Sequence, residues 1–287
     1  SDENRPERAE PAQKKCLIFS PHPDDDVISM GATFARLIDQ GHEVHVAYQT
    51  SGNIAVSDED ALRFLEVFET TFQGEKNLKT LKKELLSKEV NNMASPMVRT
   101  LKGAIRRSEC MGAARFLKLP LSQLHFMDLP FYETGTIKKK APSMTDLNQT
   151  IALIEELKPH QIYAAGDLAD PHGTHRICLE ILFKALEKLK KEPYMKDCWV
   201  WLYRGAWQEW DIHEIEMAVP ISPDQVAQKR NSILYHQSQK DRVMFQGEDN
   251  REFWLRAEER NRDTALVYNE LGMAEYESME AFRRYHY

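Results

Sequence analysis

The stretch CLIFSPHPDDDVISMG, Cys16 to Gly31, places a histidine and three aspartates within five residues, where an apolar strand ends and an amphipathic run begins. Adjacent carboxylates repel one another and resist leaving water, so something positive is expected among them. Pro21 and Pro23 fix their own φ and restrict the residues before them, which makes the turn stiff. A rigid turn can aim His22 and Asp25 at one spot with Asp24 beside them. An imidazole nitrogen with a carboxylate oxygen suits a divalent metal, and a bound cation would keep the carboxylates ionised. The alternative is structural: Asp25 or Asp26 caps the following helix, where the dipole favours negative charge.

Working outward, residues 16–20 read as a short buried strand. Residues 27–40 carry Ile28, Phe34, Ala35, Leu37 and Ile38 at helical spacing, closed by Gly41, and EVHVAYQT reads as a second strand. Strand, helix and strand in this order form a βαβ unit, with parallel pairing and a right-handed crossover. The pattern returns in the helical GAIRRSECMGAARFLKL, the strand QLHFMDL, a helix over 145–157, the strand QIYAAG and a helix from Ile177 to Lys190. CWVWLYR and EIEMAVPI read as later strands. The expected fold class is α/β: a doubly wound, mostly parallel, Rossmann-like sheet. Residues 58–98 read as a helical insertion that adds packing, covers the site or serves an oligomer contact. Residues from about 240 to 287 read as a C-terminal helical extension, and 1–14 as a charged linker ahead of one domain over 15–287.

Composition narrows the partners. The chain of 287 residues has a formal net charge of −7, which argues against general nucleic-acid binding. Four scattered cysteines, Cys16, Cys110, Cys178 and Cys198, read as free thiols in a reducing compartment, hence a cytoplasmic location. No apolar run is long enough to span a membrane, and SDENRPERAEPAQKK holds no hydrophobic signal segment. Oligomerisation stays open.

A second cluster, AGDLADPHGTHR at 165–176, follows the strand QIYAAG and precedes another helix. His172 and His175 therefore stand at another carboxyl strand end, where open α/β sheets hold their ligands. Two histidine-bearing strand ends in one sheet can converge on a common site. The alternative is that His175 is a solvent-facing residue at the start of the helix.

Together these motifs resemble the LmbE/PIG-L family of zinc-dependent N-acetylglucosaminyl deacetylases. Pro21-His22-Pro23-Asp24-Asp25-Asp26 resembles its first signature, and His172-Gly173-Thr174-His175 its H-x-x-H. Arg106 and Glu109 match a weaker R-x-x-E pattern, and Lys229 with HQSQ at 236–239 a K…H-x-S-Q pattern. The resemblance implies zinc, or iron(II) in its place, held by His22, Asp25 and His175, with a position left for water. It implies Asp24 as general base and His172 as donor to the oxyanion, written as an imidazolium. Two positions depart from the family pattern. Asp26 stands where glutamate is usual, and Thr174 where an aspartate often orients the oxyanion histidine; Asp170 can substitute as orienter.

The substrate implied is a small N-acetylated amino sugar of the GlcNAc type. Arg106 resembles a sugar-contacting arginine; alternatively it forms an ion pair with Glu109. Asp128, at a strand end, can accept a sugar hydroxyl or be a turn residue. Lys240, Arg242, Arg251, Arg256, Arg260 and Arg262 form a solvated face, or a few of them bind phosphate. YQTSGNIAV at 48–56 and this tail resemble the LmbE-like half of fusions with a glucosamine-6-phosphate deaminase-like domain, which suggests GlcNAc-6-phosphate. The competing functions are another hydrolysis, of an amide or phosphoester, on the same metal site, and a non-catalytic sugar-binding module of a deaminase.

Overall fold

The computed structural model describes residues 12–72, 76–87, 94–136, 138–170, 172–205, 207–240, 251–273 and 275–287. Arg242 and most of the expected N-terminal linker lie outside these residues. The opening stretch forms strand β1 (Lys15–Ser20) and helix α1 (Asp25–Asp39), and β2 (Glu43–Tyr48) completes the βαβ unit. Helices α2 (Asp58–Thr71), α3 (Lys76–Ser87) and α4 (Pro96–Phe116) lead to the short β3 (Leu124–Phe126). Then come α5 (Met144–Leu157), β4 (Gln161–Ala165), α6 (Thr174–Leu189) and β5 (Trp199–Tyr203). The chain ends with β6 (Met217–Ile221), α7 (Pro223–Leu234), α8 (Phe253–Glu270) and β7 (Ser278–Tyr285).

The seven strands lie in the order β3-β2-β1-β4-β5-β7-β6. β1 through β5 pair in parallel, and β7 runs antiparallel to both β5 and β6. Chain order reverses between β1 and β4, which are direct neighbours, so the crevice beyond their carboxyl ends is the switch point of the sheet. Period-2 alternation splits the core into two layers. Cys16, Ile18, Val44 and Val46 face α1, α4, α7 and α8. Leu17, Phe19 and Ala47 face α5 and α6.

The C-terminal extension is helical over α8 and then departs from expectation. Its last segment enters the sheet as β7, where Ser278 through Phe282 are all buried. The basic residues of the tail divide: Lys240, Arg251 and Arg262 are exposed, as a solvated face requires, whereas Arg256 and Arg260 are engaged with the fold. Arg256 is 1% exposed, stacks near Phe253 and Trp207 and donates to the Arg251 carbonyl, while Arg260 donates to the carbonyls of Gly205 and Trp207. The insertion builds its own small core, with Leu65, Leu81, Leu85, Val98 and Ile105 buried together.

Candidate active site

His22, Asp24 and Asp25 occupy the turn after β1. The turn is braced to the continuation of β2: Thr50 donates through its amide (3.2 Å) and its hydroxyl (2.7 Å) to the Pro21 carbonyl. Gly52 permits the close approach. It has φ of +64°, and a Cβ there would lie 2.7 Å from Cδ of Pro23. Asp24 is the N-cap residue of α1 but makes no side-chain cap hydrogen bond. Asp25 Oδ2 turns back to accept from the His22 amide at 2.8 Å. Asp26 is spent on Ser20 Oγ (3.3 Å) and the Tyr48 hydroxyl (3.1 Å), tying the ends of β1 and β2 together. Burial pushes the Asp26 carboxyl up to about 7, against the Tyr48 hydrogen bond.

His175 stands on the first turn of α6 and projects into the same crevice. Its Nδ1 lies 2.9 Å from the Asp167 carbonyl oxygen, so Nδ1–H donates there and Nε2 faces the site. Nε2 is 3.1 Å from Asp25 Oδ2 and 3.3 Å from His22 Nδ1, and those two atoms are 3.2 Å apart. Among the described residues this is the one group of three or more His, Cys, Asp or Glu whose donor atoms converge to metal-binding distance. The donors fit a tetrahedral zinc-like cation. Bonds of roughly 2.0–2.1 Å put tetrahedral ligand atoms about 3.3–3.4 Å apart. Three donors make one triangular face and leave the opposite position for water or substrate. Asp25 and His175 side chains are 5% and 1% accessible and His22 21%, so the opening lies on the His22 side.

The electrostatics ask for positive charge. Burial opposes charging His175, but Asp25 prevails and pushes it up to about 10; burial likewise opposes ionising Asp25, but the two histidines hold it well below the usual carboxylate range.

Asp24 has a partner of its own. Oδ2 is 3.0 Å from a terminal guanidinium nitrogen of Arg106, and Arg106 also donates to the Pro23 carbonyl at 2.8 Å. Glu109 lies 3.8 Å from Arg106 Nε and accepts from the amide (2.6 Å) and hydroxyl (2.8 Å) of Ser238, in the HQSQ segment. The R-x-x-E and H-x-S-Q patterns thus meet beneath Asp24. Burial raises the Asp24 carboxyl even though Arg106 opposes it. Arg106 itself is 1% exposed, so it supports Asp24 from below, where the resemblance implies a sugar contact.

His172 is half-buried, and burial followed by the charges of Lys139 and His22 lowers its pKa. The resting side chain is thus disfavoured as the imidazolium that the resemblance implies. Asp170 Oδ2 accepts from the Thr174 amide at 2.7 Å, at the start of α6. Its charge still acts on His172, though more weakly than burial. Asp128 sits in the left-handed region (φ 46°) and pairs with Arg107. It lines a cavity of about 500 Å³ with Ser51, Arg99, Thr100, Arg107 and Glu133.

Sequence reasoning missed His236. It is 3% exposed and shares a narrow cleft with Asp24, Ile28, Phe253 and Trp254. Burial, then Arg106, pushes it down to about 3. The H-x-S-Q pattern marks the residue but gives no sign that it lies under the turn after β1.

Residues 17–186 match the family described as GlcNAc-PI de-N-acetylase, PIG-L. The chain belongs to that family. A protein of Bacteroides thetaiotaomicron described as glucosamine-6-phosphate deaminase-like is 52% identical over 295 residues, an alignment that takes in 99% of this chain and 44% of that protein. The chain thus spans less than half the length of this relative. The N,N'-diacetylchitobiose deacetylase of Pyrococcus horikoshii has the same fold, with TM-score 0.60 at 20% identity over 99% of this chain and 87% of the other. So has GalB, the 4-carboxy-2-hydroxymuconate hydratase of Pseudomonas putida, with TM-score 0.61 at 16% identity over 96% and 97%.

Proposed function

We propose that this chain removes acetate from an N-acetylated amino sugar of the GlcNAc type, using zinc or iron(II) held by His22, Asp25 and His175. The observation that carries this reading is the triangle of donor atoms 3.1–3.3 Å on edge with Asp24 as its neighbour. A divalent cation there supplies Lewis acidity and brings the pKa of a coordinated water toward neutrality. Asp24 accepts a proton from the attacking water and releases it to nitrogen as the C–N bond breaks, so water and amide become acetate and amine. Its raised pKa suits a group that must carry a proton for part of the cycle. Arg106 holds Asp24 in place and favours its ionised resting form. His172 donates an N–H to the acyl oxygen as charge builds there. Its lowered pKa makes the neutral imidazole the resting donor.

Asp128 and the cavity beside it are the proposed place for sugar hydroxyls. For the whole substrate we favour GlcNAc-6-phosphate. Its deacetylation yields glucosamine-6-phosphate, the compound in the name of the half-matching relative, so this chain would act beside a deaminase-like partner domain. The four buried free thiols suit a reducing compartment such as the cytoplasm.

The hydratase neighbour shows that the fold also serves water addition to carbon, so the product itself must be measured. The test incubates the protein with free, 6-phosphorylated and glycosylated GlcNAc and quantifies acetate and new primary amine. The reading expects both products in equal amounts, abolished by a chelator, restored by zinc or iron(II), and absent in His175→Ala. Ligand binding without acetate, after metal is supplied, would leave a sugar-binding module instead.

A further inference from the structure

The helix that carries Asp25 is broken. Met30 has φ −135° and ψ 26°, inside an element that is otherwise helical from Asp25 to Asp39. In an unbroken helix the Thr33 amide would donate to the Ser29 carbonyl, and the Ala32 amide to that of Ile28. Here both amides donate to the carboxylate of Glu280, at 3.0 Å from Ala32 and 2.7 Å from Thr33. The Ser29 carbonyl instead faces Lys229 Nζ at 3.4 Å. Lys229 and Glu280 are themselves paired at 2.7 Å, and the third donor of the ammonium goes to Asn261 Oδ1 at 2.8 Å. Side chains inserted into the backbone ladder are a known cause of helix kinks.

The pair is fully inside the protein: Lys229 is 2% exposed and Glu280 0%. It joins three elements to α1, since Lys229 comes from α7, Asn261 from α8 and Glu280 from the middle of β7. Gly31 makes room for it, because a Cβ there would lie 3.0 Å from Lys229 Cγ. Buried ion pairs are poor sources of net stability compared with apolar residues of the same size, so stability alone is a weak reason for this one.

We propose that Lys229 and Glu280 are positioning residues: they splice the break in α1 and so set the angle at which its first turn presents Asp25 to the metal. The assignment rests on the metal reading above. The Ser29–Thr33 step is the joint. On one side lies the short turn that carries Asp25 and Asp26; on the other lies the body of the helix packed on the sheet.

The test measures zinc affinity by chelator competition, the visible spectrum of the cobalt(II) form and thermal stability, for wild type, Lys229→Met, Glu280→Gln and Gly31→Ala. Gly31→Ala keeps both charges and crowds only the lysine stem. Folded variants should bind zinc about tenfold more weakly or worse, the loss typical of supports behind metal ligands, and should show shifted cobalt bands. Val200→Ala, a core truncation in β5, should lower thermal stability and change neither metal readout. Lower melting temperatures with zinc affinity and cobalt spectrum unchanged would overturn the proposal. Should Lys229→Met fail to fold, Gly31→Ala decides by the same two readouts. A wild-type protein that takes up no zinc or cobalt overturns the metal reading first and this inference with it.

Discussion

The two strand-end turns that build the site are made differently. The turn after β1 is cross-braced at every charged position: Asp24 by Arg106, Asp25 by the His22 amide and His175, and Asp26 by Ser20 and Tyr48. The turn after β4 buries one histidine and leaves the other half-buried. His175 is pinned by the Asp167 carbonyl and is 1% exposed, whereas His172 is half-buried and has Thr174 where the family often has an orienting aspartate. The difference teaches a division of labour. On the proposed mechanism the first turn supplies geometry and the base, where a small displacement would misplace the attacking oxygen. On the same proposal the second supplies a buried ligand, His175, and a half-buried donor, His172.

The largest effect should come from breaking the first turn at its base. Asp24→Asn is nearly isosteric and removes the carboxylate proposed to accept the proton. It should lower kcat by about 10²–10⁴-fold, the usual worth of a positioned general base, while zinc content measured by elemental analysis stays at wild-type level. Turnover within tenfold of wild type would move the base to another group and leave Asp24 as a mere partner of Arg106.

An intermediate effect should appear beneath the same turn, at His236. Folding lowers its pKa to about 3, from an ordinary 6.5, chiefly by burial. Between those values the unfolded chain holds the proton that the folded chain refuses. Stability is therefore lost as pH falls through this window, by at most about 1.4 kcal/mol per pH unit from this group. At neutral pH both states hold the imidazole neutral and the contribution is fully present. Melting curves of wild type and His236→Asn at pH 7.5, 5.5 and 4 check the sign: the advantage of wild type should shrink with acidity. A gap that does not change with pH would mean that His236 protonates in place, and that the ground beneath the first turn is wetter than the second.

What could be read in the sequence follows from how local each signal is. The βαβ start, the later strand–helix alternation and both histidine motifs are contiguous patterns, and the structure reproduces the elements, although α4 begins at Pro96, seven residues before the expected helix. β7 was illegible because SMEAFRRY places Glu280 in the centre of a buried strand. A charge there contradicts the alternation rule until Lys229, far away in sequence, is seen to neutralise it. The same holds for Arg106. Its i+3 relation to Glu109 is local and was visible, whereas its stronger contact, with Asp24, spans helix α4 and the turn after β1. Arg256 misleads for a related reason. Arg256 stacks with aromatic rings inside the fold, and composition does not distinguish an arginine on a ring from one in water.

The smallest effect, and the one that sharpens the contrast most, is expected at Asp170. The hydrogen bond it makes suggests that Asp170 serves the start of α6 and not the histidine. Its short hydrogen bond to the Thr174 amide satisfies an otherwise orphaned donor in the first turn of that helix. Asp170→Ala should then cost about 1 kcal/mol in stability, as loss of a helix-start acceptor does, with kcat nearly unchanged and far above that of His172→Ala. Asp170→Asn, which keeps an acceptor oxygen but loses the charge, separates the two roles. It should recover most of the stability, and if Asp170 only caps, it should leave the pH profile of kcat in place. Should Asp170→Ala instead lower kcat as far as His172→Ala, and Asp170→Asn shift the acid limb of that profile, the carboxylate would be the orienter of His172. The second turn would then be braced as tightly as the first.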